Sequence, residues 1–406
     1  MKYLLKNKHD IISTLIKVAV VTLIVGLFFS NALKSISIVT LAIGGLLTID
    51  FKIKSIFKQP LFITSFIIVI VYCISAIFST NHAYAFQSIQ TKLLYVLVLL
   101  AFYKTNFLES DKNKMVFVAA ICAVIQSLFA MYFFITQNTA LNHIYAIGNV
   151  LPVLKIHHVQ IAVLIAITIV LLLHFSYAKK LKNIEKYSAL IIAFWLFIFL
   201  HIFAVRTGLV LVYFMLIIYG IVQLCIHKKW KWIFINVCLL LIVCGISLKY
   251  SYTLKNKINY TLYDINMFKT KAENAYEYSD SRRLISLQNG ILLLKENPYF
   301  GVGVGDITDE ISELYKKQNP TLDKKFYYLP HNQYLYFLST FGYIFGSIVI
   351  LCFIFPFLYL FYKKKYLNAT IYSALLLFSC WDAFIGTLFG NCLYLMVIGF
   401  SLKENN

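Results

Sequence analysis

Ser281-Arg282-Arg283-Leu284, then Asn297-Pro298-Tyr299-Phe300-Gly301-Val302-Gly303-Val304-Gly305, then Pro330-His331-Asn332 stand inside one long polar stretch, residues 249–332. Apolar runs flank this stretch on both sides and fill nearly all of the remaining chain. Of 406 residues, 60% are hydrophobic and only 13% are charged, which excludes a soluble globule and a disordered chain. A helix needs about 20 apolar residues to cross a bilayer. The chain therefore reads as an all-α, polytopic membrane protein of about 12 transmembrane helices. The expected spans are 11–29, 33–49, 60–78, 89–107, 115–135, 158–177, 188–204, 207–226, 233–248, 333–361, 369–386 and 387–402. This divides the chain into residues 1–248 with the first nine spans, residues 249–332 as a large extracytoplasmic loop, and residues 333–406 with the last three.

The formal net charge of +20 does not point to nucleic acid, because the lysines fall in short clusters between apolar runs. One set of loops holds these clusters, among them Lys52, Lys54 and Lys58, then Lys179, Lys180 and Lys182, then Lys363, Lys364 and Lys365. The short loops and span ends of the opposite side hold only Lys34, Lys92, Lys155 and Arg206. Positive residues stay on the cytoplasmic side, so both termini are expected there and residues 249–332 outside. The clusters also suit contact with anionic lipids. The first span reads as an anchor rather than a cleaved signal. All eight cysteines sit in apolar runs, and no Cys/His spacing suited to a metal is present.

Within the loop, Leu284, Leu287, Ile291 and Leu294 recur at helical spacing, and Pro298 ends the pattern. Asp280 or Ser281 is placed to cap the start of this amphipathic helix. On such a helix Arg282 shares a face with Ser286 and Asn289 and is expected to look toward water. Arg283 falls on the apolar face, where a charge is costly unless an anion meets it. Arg206, just after the seventh span, is a second outer-rim arginine; a guanidinium's planar fork suits phosphate or diphosphate. His331 precedes the tenth span, and a histidine can take or give a proton near neutrality. Asn332 can orient it, touch substrate or cap the next helix. His157 and His158 open the sixth span with His143 in the loop before; as helical neighbours pointing about 100° apart, His157 and His158 do not share a metal easily and are candidates for substrate contact. Asp382 is expected inside a late span as partner to an arginine or histidine. The glycines at 301, 303 and 305 suggest tight backbone turns, with a phosphate-cradling nest of amides as the second reading. No Gly-Lys-Ser/Thr ending follows them, and the loop has no Asp-x-Asp pair to hold a metal and a sugar nucleotide.

Residues 281–298, the Gly301-Val302-Gly303-Val304-Gly305 turn, His331-Asn332-Gln333-Tyr334-Leu335 and Phe341-Gly342-Tyr343-Ile344-Phe345-Gly346 together resemble the bacterial O-antigen ligase and O-antigen polymerase family. Arg283 corresponds to the helix-opening arginine of that pattern, and Arg206-Thr207-Gly208 resembles its outer arginine after an earlier span. A tryptophan that the family often carries four residues after the helix arginine is replaced here by Leu287. The resemblance implies a glycosyltransferase in the bacterial inner membrane. It would move a glycan from undecaprenyl diphosphate to an acceptor hydroxyl, on lipid A–core in a ligase or on another lipid-linked glycan in a polymerase. No cofactor or metal is implied. Arg206 and Arg283 would meet the diphosphate, His331 would take the acceptor proton, and Arg282, Asn332, His157, His158 and Asp382 would line the substrates. Two other classes remain open from the residues alone: a polysaccharide transporter or flippase, and an inactive scaffold of an assembly complex. Transporters tend to show internal repeats and broken helices, and neither is evident here.

Overall fold

The computed structural model describes residues 2–49, 53–136, 157–176, 182–227, 245, 249, 252–270 and 275–402. All regular structure among the described residues is helical. The helices are α1 (Lys2–Phe29), α2 (Asn31–Leu47), α3 (Pro60–Ile77), α4 (His82–Lys104), α5 (Glu109–Thr136), α6 (His158–Ser176), α7 (Asn183–Phe203), α8 (Arg206–His227), α9 (Tyr252–Lys269), α10 (Ser279–Glu296), α11 (Ile307–Gln318), α12 (Gln333–Tyr362), α13 (Tyr366–Phe378) and α14 (Leu388–Ser401). Eight are long and apolar enough to cross a membrane, and α2, α13 and α14 are shorter apolar helices. The chain is a multi-pass membrane protein. The expected span 233–248 apart from residue 245, His143 and Lys155 lie outside the described residues.

Contacts group the chain into two compact units. The first comprises Met1–Val20, Lys34–Asn106 and Asp264–Asn406; the second comprises Val21–Leu33 and Phe107–Tyr263. In the second, α6 is the core: Val163, Ile165, Ala166, Val170 and Leu172 are fully buried, and α5, α7 and α8 pack around them. Gly208 at the start of α8 lets that helix approach α6, since a Cβ there would lie 2.8 Å from the Ala162 Cβ; small residues commonly permit such close helix contact in membranes. Polar side chains pair across helices, as where Trp195 Nε1 donates to Ser127 Oγ at 2.8 Å.

In the first unit α3 packs against α4 and α12, and α12 packs against α10 and α13. Lys34 and Lys92, expected at span ends, lie within α2 and α4 and are 1% and 2% exposed. Helix α4 begins at His82, capped by Asn81, so Lys92 falls three turns inside it. Its ammonium donates to Ile385 O (3.0 Å), Asn391 Oδ1 (2.9 Å) and Tyr95 Oη (3.2 Å), and stands 5.2 Å from the Tyr72 ring centroid. The expected span 369–386 is cut short. Helix α13 stops at Phe378, and residues 379–387 form a loop containing one 3-10 turn, Phe384–Gly386.

Helix α12 is also not one straight span. Gly342 has φ 68° and ψ −175°, a conformation reserved for glycine, and it divides the helix into two arms. The arms fold against each other. The rings of Phe337 and Phe353 are 6.1 Å apart, whereas 16 residues of continuous helix would separate them by about 24 Å. Gly346 provides room for the fold-back, since a Cβ there would lie 2.9 Å from Phe337 O. The second arm, residues 343–362, has by itself the about 20 residues that a bilayer crossing needs. At Gly342 a Cβ would stand 2.3 Å from the Tyr299 backbone. Gly342→Ala is therefore expected to impose about 2–3 kcal/mol of strain. The check is the yield of monodisperse protein in detergent size-exclusion, and wild-type yield would refute the role of this joint.

Candidate active site

The site is built on α10, and the carboxylate that starts α10 lies outside it. The first amides of a helix lack intrahelical partners. Asp264 of α9, fully buried, accepts from Asp280 N (2.6 Å) and Ser281 N (2.7 Å), while Ser281 Oγ donates to Asp264 O at 2.6 Å. The expected caps, Asp280 and Ser281, are thus the recipients of capping from Asp264. Asn297 and Pro298 end the helix as expected.

The packed face differs from the expected apolar stripe. The buried residues are Ser281, Ile285, Ser286, Asn289, Gly290, Leu293 and Leu294, at helical spacing. Leu284 and Leu287 are half-buried and Ile291 is 44% exposed. The reason is the neighbour: α10 packs on the chain leading into α12, which requires small or hydrogen-bonding groups. A Cβ on Gly290 would lie 2.7 Å from Pro330 Cγ. Ser286 Oγ donates to Arg283 O (2.7 Å) and accepts from His331 N (3.1 Å). A single buried serine thus fixes His331 one turn from the arginine pair.

Arg282 is half-buried rather than turned to water. Its Nη1 donates to Tyr328 Oη at 3.2 Å, and its guanidinium carbon lies 5.2 Å from the Tyr328 ring centroid and 5.9 Å from that of Phe326. The Tyr328 ring in turn lies 5.5 Å from the His331 ring at 33°. Arg283 faces acids. Its Nη1 stands 3.5 Å from Asp280 Oδ1, and its charge acts on Asp382. Asp382 lies in the loop between α13 and α14, not inside a span, because α13 ends early. Burial pushes the Asp382 carboxyl above its ordinary value, while Arg283 and a hydrogen bond at Ala383 pull it back.

That loop is tied to the His331 segment at several points. Asn332 Oδ1 caps α12 by accepting from Leu335 N (2.8 Å), and its Nδ2 donates to Cys380 O (2.9 Å). Gln333 N donates to Ser379 O (2.8 Å), and Gln333 Oε1 accepts from Ile385 N (2.9 Å). Lys92 holds the carbonyl of the same Ile385. Arg282, Arg283, His331, Asn332 and Asp382 are therefore neighbours in one network, brought together from two stretches of chain on either side of α11 and from the α13–α14 loop.

The glycine turn is a structural joint and does not provide a phosphate nest. Its amides are spent within the protein: Gly301 N on Asn297 O, Val302 N on Ser339 O, Gly303 N on Thr340 O, Val304 N on Ser75 Oγ and Gly305 N on Ser79 Oγ. Gly301 and Gly303 take φ of 71° and 96°. Tyr343 N and Ile344 N, just past the α12 kink, donate to Pro298 O (2.7 Å) and Tyr299 O (3.2 Å). The motif thus clasps the kink to the end of α10. Asp306 then anchors it to the α3–α4 turn by accepting from Asn81 N (2.7 Å), Thr80 N (2.8 Å) and Thr80 Oγ1 (2.8 Å). Burial would raise this carboxyl, but those bonds and the nearby His82 hold it below its ordinary value.

Arg206, His157 and His158 belong to the second unit. Ala204 closes α7 with φ 48°, and Arg206 opens α8 with its Nη1 donating to Thr261 Oγ1 at 2.7 Å. The rings of His157 and His158, at the start of α6, are 4.5 Å apart and inclined by 45°. Among the described residues, no group of three or more His, Cys, Asp or Glu is placed to hold a metal ion. Sequence reasoning gave no role to Asp264 or Tyr328, and it named Ser286 only as a helix-face neighbour of Arg282 and Gln333 only as part of a family motif.

Residues 189–351 match the family model described as O-antigen ligase. The match runs from α7 into the second arm of α12 and includes Arg206, Arg282, Arg283 and His331. No curated protein sequence matches the chain.

Proposed function

We propose that this chain, whose residues 189–351 support its place in the O-antigen ligase/polymerase family, transfers a glycan from undecaprenyl diphosphate to an acceptor sugar hydroxyl on the outer face of the inner membrane. The observation that carries this reading is the Ser286 link, which holds a potential base, His331, beside Arg282 and Arg283. The acceptor oxygen attacks the anomeric carbon of the donor. A new C–O bond forms, the C–O bond to the diphosphate breaks, and its electron pair leaves with the lipid diphosphate. Arg283 offsets the charge developing on that leaving group. His331 receives the acceptor proton. The donor brings its own activated leaving group, so the step requires neither a nucleotide nor a metal.

The acceptor favoured by this reading is lipid A–core, making the protein a ligase; a polymerase of the same superfamily is the alternative. Both termini are cytoplasmic and residues 249–332 face outward in this proposal, in line with the lysine clusters. Deleting the gene and resolving surface polysaccharide by gel tests the assignment. A ligase loss leaves core without attached glycan while lipid-linked polymer accumulates. A polymerase loss leaves core bearing one repeat unit. Unchanged surface polysaccharide would overturn the reading.

A further inference from the structure

Arg282 and Arg283 are neighbours in sequence but sit in opposite electrostatic settings. Arg283 stands among carboxylates, near Asp280 and under the influence of Asp382. Arg282 lies on aromatic rings, and its one hydrogen bond among the described residues is to the neutral hydroxyl of Tyr328. A guanidinium has five N–H donors arranged as a fork that fits carboxylate or phosphate. Among the described residues one donor of this half-buried side chain is engaged and no acid meets its charge. A second cation shares the same surface: Lys325 Nζ lies 5.0 Å from the Phe326 ring centroid, although Asp323 stands 3.0 Å from it. Tyr328 continues this surface to His331. Aromatic rings suit the face of a sugar ring, and the cations beside them suit a negative substituent.

We infer that Arg282, with the Phe326 and Tyr328 rings beneath it, forms a subsite for a negatively charged sugar, phosphorylated or carboxylated, next to the acceptor hydroxyl at His331. This rests on the reading of His331 as the group that takes the acceptor proton. It goes beyond that reading in naming the acceptor's chemistry and in assigning Arg282 to the acceptor rather than to the lipid diphosphate.

The test measures transfer by the full-length protein in detergent or vesicles onto three forms of lipid A–core: native, phosphatase-treated and carboxyl-reduced. The wild type is expected to lose about 10–100-fold in kcat/KM on one of the two neutralised forms, and the form affected identifies phosphate or carboxylate. In Arg282→Gln the ratio between native and neutralised acceptor should fall toward one. Arg282→Lys, which keeps the charge without the fork, should retain part of it. Lys325→Ala, at a side chain 67% exposed, should reduce the ratio severalfold without a change in yield. Equal wild-type rates on all three acceptors would overturn the inference even if Arg282→Gln did not fold, as would an undiminished ratio in a folded Arg282→Gln protein. Wild-type protein that transfers to none of the acceptors would instead sink the proposed function itself.

Discussion

Arg283→Ala is expected to lower glycan transfer about 10²–10³-fold, the usual effect of removing one group that meets charge in a transition state. Protein level should hold. The side chain is partly exposed, its contact with Asp280 is a long 3.5 Å, and α10 is started by Asp264 rather than by either arginine. Arg283→Lys should recover only part of the loss, because an ammonium restores charge without the planar pair of donors. A second consequence follows for Asp382. Burial raises this carboxyl, and Arg283 is the charge that offsets part of the rise. Without it the carboxyl rises further, since desolvation then acts unopposed by a nearby cation, and Asp382 stays protonated to higher pH. Residual transfer in Arg283→Ala should therefore depend on pH differently from the wild type, and the added Asp382→Asn change should erase that difference. A purified Arg283→Ala protein with wild-type turnover would remove the arginine from the mechanism.

His331→Ala should cost about 10²–10⁴-fold, the range for loss of a general base, again with the fold intact. The structure gives a specific reason for that intactness. The contact to α10 is made by the His331 backbone amide to Ser286 Oγ, and alanine keeps that amide. Asn332 and Gln333 continue to tie the segment to the α13–α14 loop. The measurement is single-turnover transfer from a purified lipid-linked donor, so that slow chemistry is distinguished from weak binding. Donor affinity should change little. A His331→Ala protein that turns over normally would mean that the acceptor proton leaves by another route.

Ser286 and Gly342 show how local sequence and tertiary structure divided the information. In the chain Ser286 shows only as a face neighbour of Arg282 and Gly342 only as part of a family motif. Their importance arises from what lies opposite: a histidine amide for one and the Tyr299 backbone for the other. The same limit affected α10. Its apolar spacing correctly placed a helix but pointed to the wrong packed face, because hydrophobicity ranks faces by avoidance of water and cannot register a neighbour that needs hydrogen bonds. Asp382 was legible as an unusual acid in an apolar region. Its location was not, because α13 ends at Phe378 through contacts with the start of α12, while the apolar run continues past that point.

Apolar run length and short motifs are properties of consecutive residues, so the chain alone disclosed a helical, many-times-crossing membrane protein, the position of its long polar interruption, and the family that residues 281–346 resemble. It took the folded molecule to reveal that the Gly-Val-Gly turn is a clasp with its amides already used, that α12 folds back at Gly342, and that Arg283 meets acids while Arg282 lies on aromatic rings. Those outcomes depend on hydrogen bonds and charges between residues tens of positions apart, and no local pattern encodes which distant partner will satisfy a buried polar group.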